Sequence, residues 1–90
     1  MNNITKVYNE ENESMEEKIL KSLKASLLNE VITMEELIEV MKSFNAEFND
    51  EVVTRGTTKE IEFTKGKKLI VIITRKYDVY YDKVINIIVE

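Results

Sequence analysis

The sequence predicts an α+β domain: an N-terminal αα-hairpin packed on one face of a three- to four-stranded antiparallel β-meander. Three observations carry this. The pattern Ser/Thr-x-x-Glu that opens helices occurs twice in the first half, at Ser14-Met15-Glu16-Glu17 and Thr33-Met34-Glu35-Glu36. From Glu51 onward the apolar period changes from three-to-four residues to two, and β-branched residues take over. The chain has 90 residues, enough for one domain, and a domain of about this size hides only roughly 60 to 65% of its unfolded surface.

The elements follow in chain order. Residues 1–13 are polar; Ile4, Lys6 and Tyr8 alternate with Thr5 and Val7, which allows a loose tail or a short edge strand. The single α+β domain is expected over 14–90. Helix one is expected over about 15–29, with Met15, Ile19, Leu20, Leu23, Leu27 and Val31 on one stripe and Lys18, Lys21 and Lys24 opposite. Helix two is expected over about 34–45, with Met34, Leu37, Ile38, Met41, Phe44 and Phe48 facing one way and Ile32 stapling the Thr33 cap. Glu30 to Ile32 reads as the turn between them. The capping segments resemble each other through shared physics, not duplication.

Strands are expected at about 51–55, ended by Gly56, at about 59–64, and at about 68–75. Lys65-Gly66-Lys67 is the hairpin turn, with Gly66 taking a positive φ. Tyr77-Asp78 then turns the chain into residues 79–89. Tyr80, Tyr81, Val84, Ile85 and Ile88 also fit a helical stripe, but the β-branched run favours a strand.

The apolar run Leu69 to Ile73 leaves neither face of its strand polar. With Leu69, Val71 and Ile73 on the helix side, Ile70 and Ile72 fall on the other, with Val84 and Ile88 beside them. Two short helices cover one face, and exposing a large aliphatic side chain forgoes roughly 1.5 to 3 kcal/mol. Either the N-terminal segment or the Phe44–Val53 connection covers the second face, or that face binds a partner or a second copy of the chain. The expected partner-binding residues are therefore Ile70, Ile72, Tyr80, Tyr81, Val84 and Ile88, tyrosine adding area with a polar tip.

Composition narrows the chemistry. With no Cys, His, Trp or Pro and only two Gly, the chain has no disulfide, thiolate or imidazole site and no Gly-rich phosphate loop. Catalysis would fall to carboxylates, Lys, Tyr or hydroxyls. The candidates each have a plain reading: Glu16 and Glu17 open a helix, Asp78 and Asp82 flank a turn near Tyr80, and Glu10, Glu11 and Glu13 lack the loop of a calcium site. No enzymatic activity, cofactor or metal is expected. No run of about 18 apolar residues exists and the N-terminus opens no leader pattern, so a cytoplasmic protein is expected.

Net charge is −4, unevenly spread: residues 1–50 hold 11 acids and 5 bases, residues 51–90 hold 6 acids and 8 bases. Glu10, Glu11, Glu13, Glu16, Glu35, Glu36 and Glu39 form an expected acidic surface, suited to a basic protein such as one that handles nucleic acid. Lys65, Lys67, Lys68, Arg75 and Lys76 form a basic hairpin that could hold nucleic acid instead, although Glu35, Glu36 and Glu39 would repel DNA from the second helix. Eleven lysines against two arginines, with abundant Ile, Asn and Glu, suggest the coding bias of a low-GC bacterium or its phage. In size and charge alone the chain resembles small acidic mobile-element inhibitors, including anti-CRISPR proteins, and also transcriptional or toxin–antitoxin regulators. The expected function is a small acidic inhibitor or adaptor that binds protein; the alternative is a nucleic-acid-binding regulator.

Overall fold

The computed structural model describes residues 14–90. Helix α1 (Met15–Leu27), strand β1 (Val31–Ile32), helix α2 (Met34–Ser43) and strands β2 (Glu47–Arg55), β3 (Thr58–Lys65), β4 (Lys68–Lys76) and β5 (Asp82–Val89) follow in order. All five strands form one antiparallel sheet, ordered β1-β5-β4-β3-β2 and curled into a half-barrel. The α+β class with N-terminal helices and the antiparallel meander are as expected. The sheet has a fifth strand, because Val31 and Ile32 pair with Lys83 and Asp82 where a turn was expected. The readings for residues 1–13 lie outside the described residues.

Local chemistry explains the boundaries. At α1 the Ser14 hydroxyl accepts from the Glu17 N–H at 3.1 Å; at α2 the box is reciprocal, with Glu36 N–H donating to Thr33 Oγ1 at 3.1 Å and Thr33 N–H to Glu36 Oε1 at 3.0 Å. Helix α2 ends two residues earlier than expected, in a Schellman motif. Asn45 takes φ 61°, its N–H reaches the Lys42 carbonyl at 2.8 Å, and the Ala46 N–H reaches that of Met41 at 2.9 Å. That sharp stop lets β2 begin at Glu47, four residues before the sequence-based boundary. Asn29, at φ 69°, similarly turns the chain out of α1, and Asn29 and Glu30 bond to both backbone groups of Val84. The helices are thus no simple hairpin. α1 packs on β5, whereas α2 leads from β1 at one sheet edge to β2 at the other.

Two tight hairpins set the register. Gly56 (φ 62°) and Gly66 (φ 59°) each take the first central position of a two-residue turn, closing the pairs Arg55–Thr58 and Lys65–Lys68. The second pair fixes Phe63 opposite Ile70 and Ile61 opposite Ile72. These four residues meet Leu23, Leu27, Leu37 and Met41 in one core, with Val84 and Ile87 from β5. Phe48 and Phe63 stack at a tilt, ring centroids 5.7 Å apart. Residues 82–89 form a strand, not a helix; residues 77–81 are loop, so that strand starts three residues late. Asp78 holds this loop by accepting the N–H groups of Tyr80 and Tyr81 at 2.9 and 2.8 Å.

The face assignment is reversed from the expected one. Ile70, Ile72 and Val84 have no exposed surface and lie beneath the helices, while Leu69, Val71 and Ile73 occupy the opposite face. The physical reason is cross-strand pairing. A strand's partners across a hairpin share its faces, and β3 offers Ile61 and Phe63 on one side but Glu60, Glu62 and Thr64 on the other. The Phe44–Val53 connection does not fold over that second face; it ends α2 and forms most of β2.

Candidate protein-binding surface

The helix-free side of the sheet is a candidate surface among the described residues. Leu69, Val71 and Ile73 run along its centre on β4, half-buried by their neighbours and packed against none of the core residues. Val71 stands opposite Ile88 of β5, which is 37% exposed, and opposite Glu62 of β3. Ile73 stands between Asn86 and Glu60. A bulge between Ile73 and Thr74 lets Ile85 pass unpaired, so inward positions shift from Ile87 to Val84. The result is an aliphatic stripe. It is bordered on the β3 side by Glu60, Glu62 and Thr64, with Glu47 beyond, and at one end by the pair Arg75–Lys83.

The six expected partner-binding residues divide three ways. Ile70, Ile72 and Val84 are core and offer no surface. Ile88 belongs to the helix-free face. Tyr80 and Tyr81 sit on the β4–β5 loop with Tyr77 and Val79; Tyr80 is 80% and Val79 79% exposed. About six strand residues, roughly 20 Å, separate that loop from Ile88. The residues that the sequence reading missed are Leu69, Val71 and Ile73. Their signal was the Gly66-Lys67 turn, because a two-residue loop fixes the register and with it the side each residue takes.

The charged clusters also divide. Lys68 is ion-paired with Glu16, and Lys65 donates to the Phe44 carbonyl, so two of the three hairpin lysines are held within the domain. Arg75 and Lys76 lie at the far end of β4, seven residues or about 23 Å away. Of the acidic set, Glu10, Glu11 and Glu13 lie outside the described residues. The Lys68 ammonium, through its hydrogen bond and then its charge, holds the Glu16 carboxyl below its ordinary value; the hydrogen bonds from Thr33, the backbone one first, do the same for Glu36. Glu39 pairs with Lys42 at 3.7 Å on an exposed helix face.

A cleft of about 610 Å³ opens at the α2 N-terminus, lined by Thr33, Glu35, Thr57, Lys59, Lys76 and Tyr80 among others. Two of its charged side chains are paired with each other, Lys59 Nζ standing 3.3 Å from Asp82 Oδ2, and Asp78 is occupied by its turn. Among the described residues no group of carboxylates is gathered that could hold a metal ion, and no helix is long and apolar enough to cross a membrane. Compared with protein-family models, curated proteins and solved structures, the chain matches none of them.

Proposed function

We propose that this domain acts by binding another protein, as a small acidic inhibitor or adaptor without chemistry of its own, and that the helix-free sheet face is where the partner docks. The observation that supports this is the stripe of Leu69, Val71, Ile73 and Ile88, which no described element covers. A contiguous aliphatic patch edged by polar groups is the ordinary form of a protein-binding site, with buried apolar anchors giving affinity and the charged rim giving orientation. Glu60, Glu62 and Glu47 border the stripe, so the partner carries apolar anchors beside basic side chains. An anti-defence inhibitor acting on a basic nucleic-acid-handling protein is one form of this reading. Nucleic acid itself is disfavoured by the division of the lysines into two distant groups, two members of which already have intramolecular partners.

The test is affinity capture from a low-GC bacterial lysate with the full chain, with Ile88→Glu, and with Lys65, Lys67 and Lys68 reversed to Glu. The expected result is a defined protein partner retained by the first and third baits and lost with Ile88→Glu, circular dichroism showing all three folded. Equal retention by a folded Ile88→Glu bait overturns the proposed face; nuclease-sensitive retention lost only with the lysine variant overturns the function.

A further inference from the structure

Among the described residues, strand β2 is the last in the sheet and, unlike the two-residue β1 at the other edge, it is nine residues long. An unpaired edge of that length is a template for another strand. Its first part is disabled for this purpose. The register with β3 slips between Phe48 and Val52, where Asp50 takes φ 58° and Asn49 Oδ1 is bonded to Thr64 Oγ1 at 2.7 Å. Its second part, Glu51 to Arg55, is exposed throughout, pairs regularly with β3 from Val52 onward, and ends at the Gly56-Thr57 turn.

We propose that this five-residue segment pairs antiparallel with the same segment of a second copy of the chain, about a twofold axis through Val53. Two independent features select that arrangement. The first is hydrogen-bond phase. In a two-residue hairpin the pair closing the turn, Arg55–Thr58, exchanges both bonds, and alternate pairs do so thereafter. The backbone groups of Arg55 and Val53 therefore point to β3, while those of Val52 and Thr54 point outward from the sheet. A strand added at the edge must pair outward residues with outward residues. Centring on Val53 satisfies this, because Val52 meets Thr54 of the second copy and Thr54 meets its Val52, giving four N–H to carbonyl bonds.

The second feature is charge. The same register sets Glu51 opposite Arg55 of the other copy, twice by symmetry, with Val53 against Val53 at the axis. Opposite charges on facing strand positions stabilise a pair, and like charges oppose it. Arg55 donates through Nε to Glu60 Oε2 at 2.9 Å, and its guanidinium carries four further N–H groups with which to meet the facing Glu51. The neighbouring registers that keep the bonding phase fail on sequence. Centring on Val52 brings Asp50 at its positive φ into the ladder, and centring on Thr54 runs into the Gly56 turn. A contact of five residues per strand is small against the roughly 1,200 to 2,000 Å² of a stable complex, so the dimer is weak and concentration-dependent.

Sedimentation of the full chain from the micromolar to the millimolar range tests this. The expected result is a reversible monomer–dimer equilibrium, weakened about tenfold or more by Glu51→Arg alone or Arg55→Glu alone and restored in the double exchange. Val53→Lys, which sets two ammonium groups across the axis, abolishes association and serves if either single exchange fails to fold. Ile88→Glu leaves the equilibrium unchanged, which separates this contact from the proposed partner face. A wild-type chain that stays monomeric, single exchanges that associate as well as wild type, a double exchange that does not recover, or a dimer lost with Ile88→Glu each overturns the proposal.

Discussion

Ile72 and Val71 are adjacent on β4, share β-branched chemistry and lie in one unbroken apolar run, yet they serve different ends. Ile72 has no exposed surface and meets Ile61 and Ile87 beneath the helices; Val71 is half-buried between Glu62 and Ile88 on the open side. The difference arises from the pleat, which turns successive residues to opposite faces, and from the helices, which close only one of them. Hydrophobicity in a strand therefore says that a face can be buried. It does not say by what.

The comparison can be broken most severely from the covered side. Phe63→Ala removes a fully buried ring that stacks on Phe48 and should cost about 3 to 5 kcal/mol by chemical denaturation. Ile72→Ala should cost about 2 to 5 kcal/mol, while Val71→Ala next to it should cost under about 1.5 kcal/mol. Equal costs at 71 and 72 would mean that something covers the open face in the monomer.

Smaller effects come from the helix ends and from one orphaned hydroxyl. Thr33→Ala opens the reciprocal box at α2 and should cost about 1 kcal/mol, a fall of roughly 4 to 8 °C in Tm for a chain this size. Thr74 lies on the covered face at 1% exposure with its Oγ1 unpartnered. Thr74→Val keeps the shape and removes the unsatisfied oxygen, so it should be neutral or stabilising by up to about 1 kcal/mol in the same denaturation experiment.

The pH dependence is the finest probe. Folding lowers the Glu36 carboxyl below its ordinary 4.5, so its contribution is complete above that value and is lost as pH falls through the depressed one. Glu36→Gln keeps the capping geometry but cannot titrate. Its stability curve should therefore be flatter than wild type on the acid limb and run parallel to it at neutral pH, as followed by circular dichroism. A wild-type curve no steeper than that of Glu36→Gln would remove this carboxylate from the acid response.

Much of the fold was legible before any tertiary information. The two Ser/Thr-x-x-Glu boxes marked both helix starts because capping depends on four consecutive residues. Gly66 marked its hairpin because few other residues accept a positive φ in a tight turn. Strand β1 was hidden because two residues carry no period, and its existence depends on Val84 and Lys83, more than fifty positions away. The early start of β2 was hidden behind Phe44 and Phe48, which extend the helical stripe past Asn45, where the Schellman turn ends the helix. The open face was misassigned for a different reason. In Leu69 to Ile73 both alternations are apolar, so the strand alone is symmetric, and only the polar partners on β3 break the symmetry.

By itself, then, the sequence determined the class of domain, the order of helices before strands, the hairpin turns and a surplus of apolar surface over what two helices can cover. These rest on interactions within a few residues or on composition. The Gly66-Lys67 hairpin implied which face held that surplus, whereas tertiary structure decided whether the lysines formed one patch or two, that Val31 and Ile32 joined the sheet, and that β2 stands at its edge among the described residues. Each of these depends on strand register and on which charged side chains find partners across the fold, and pairing between distant segments is not encoded in any local window.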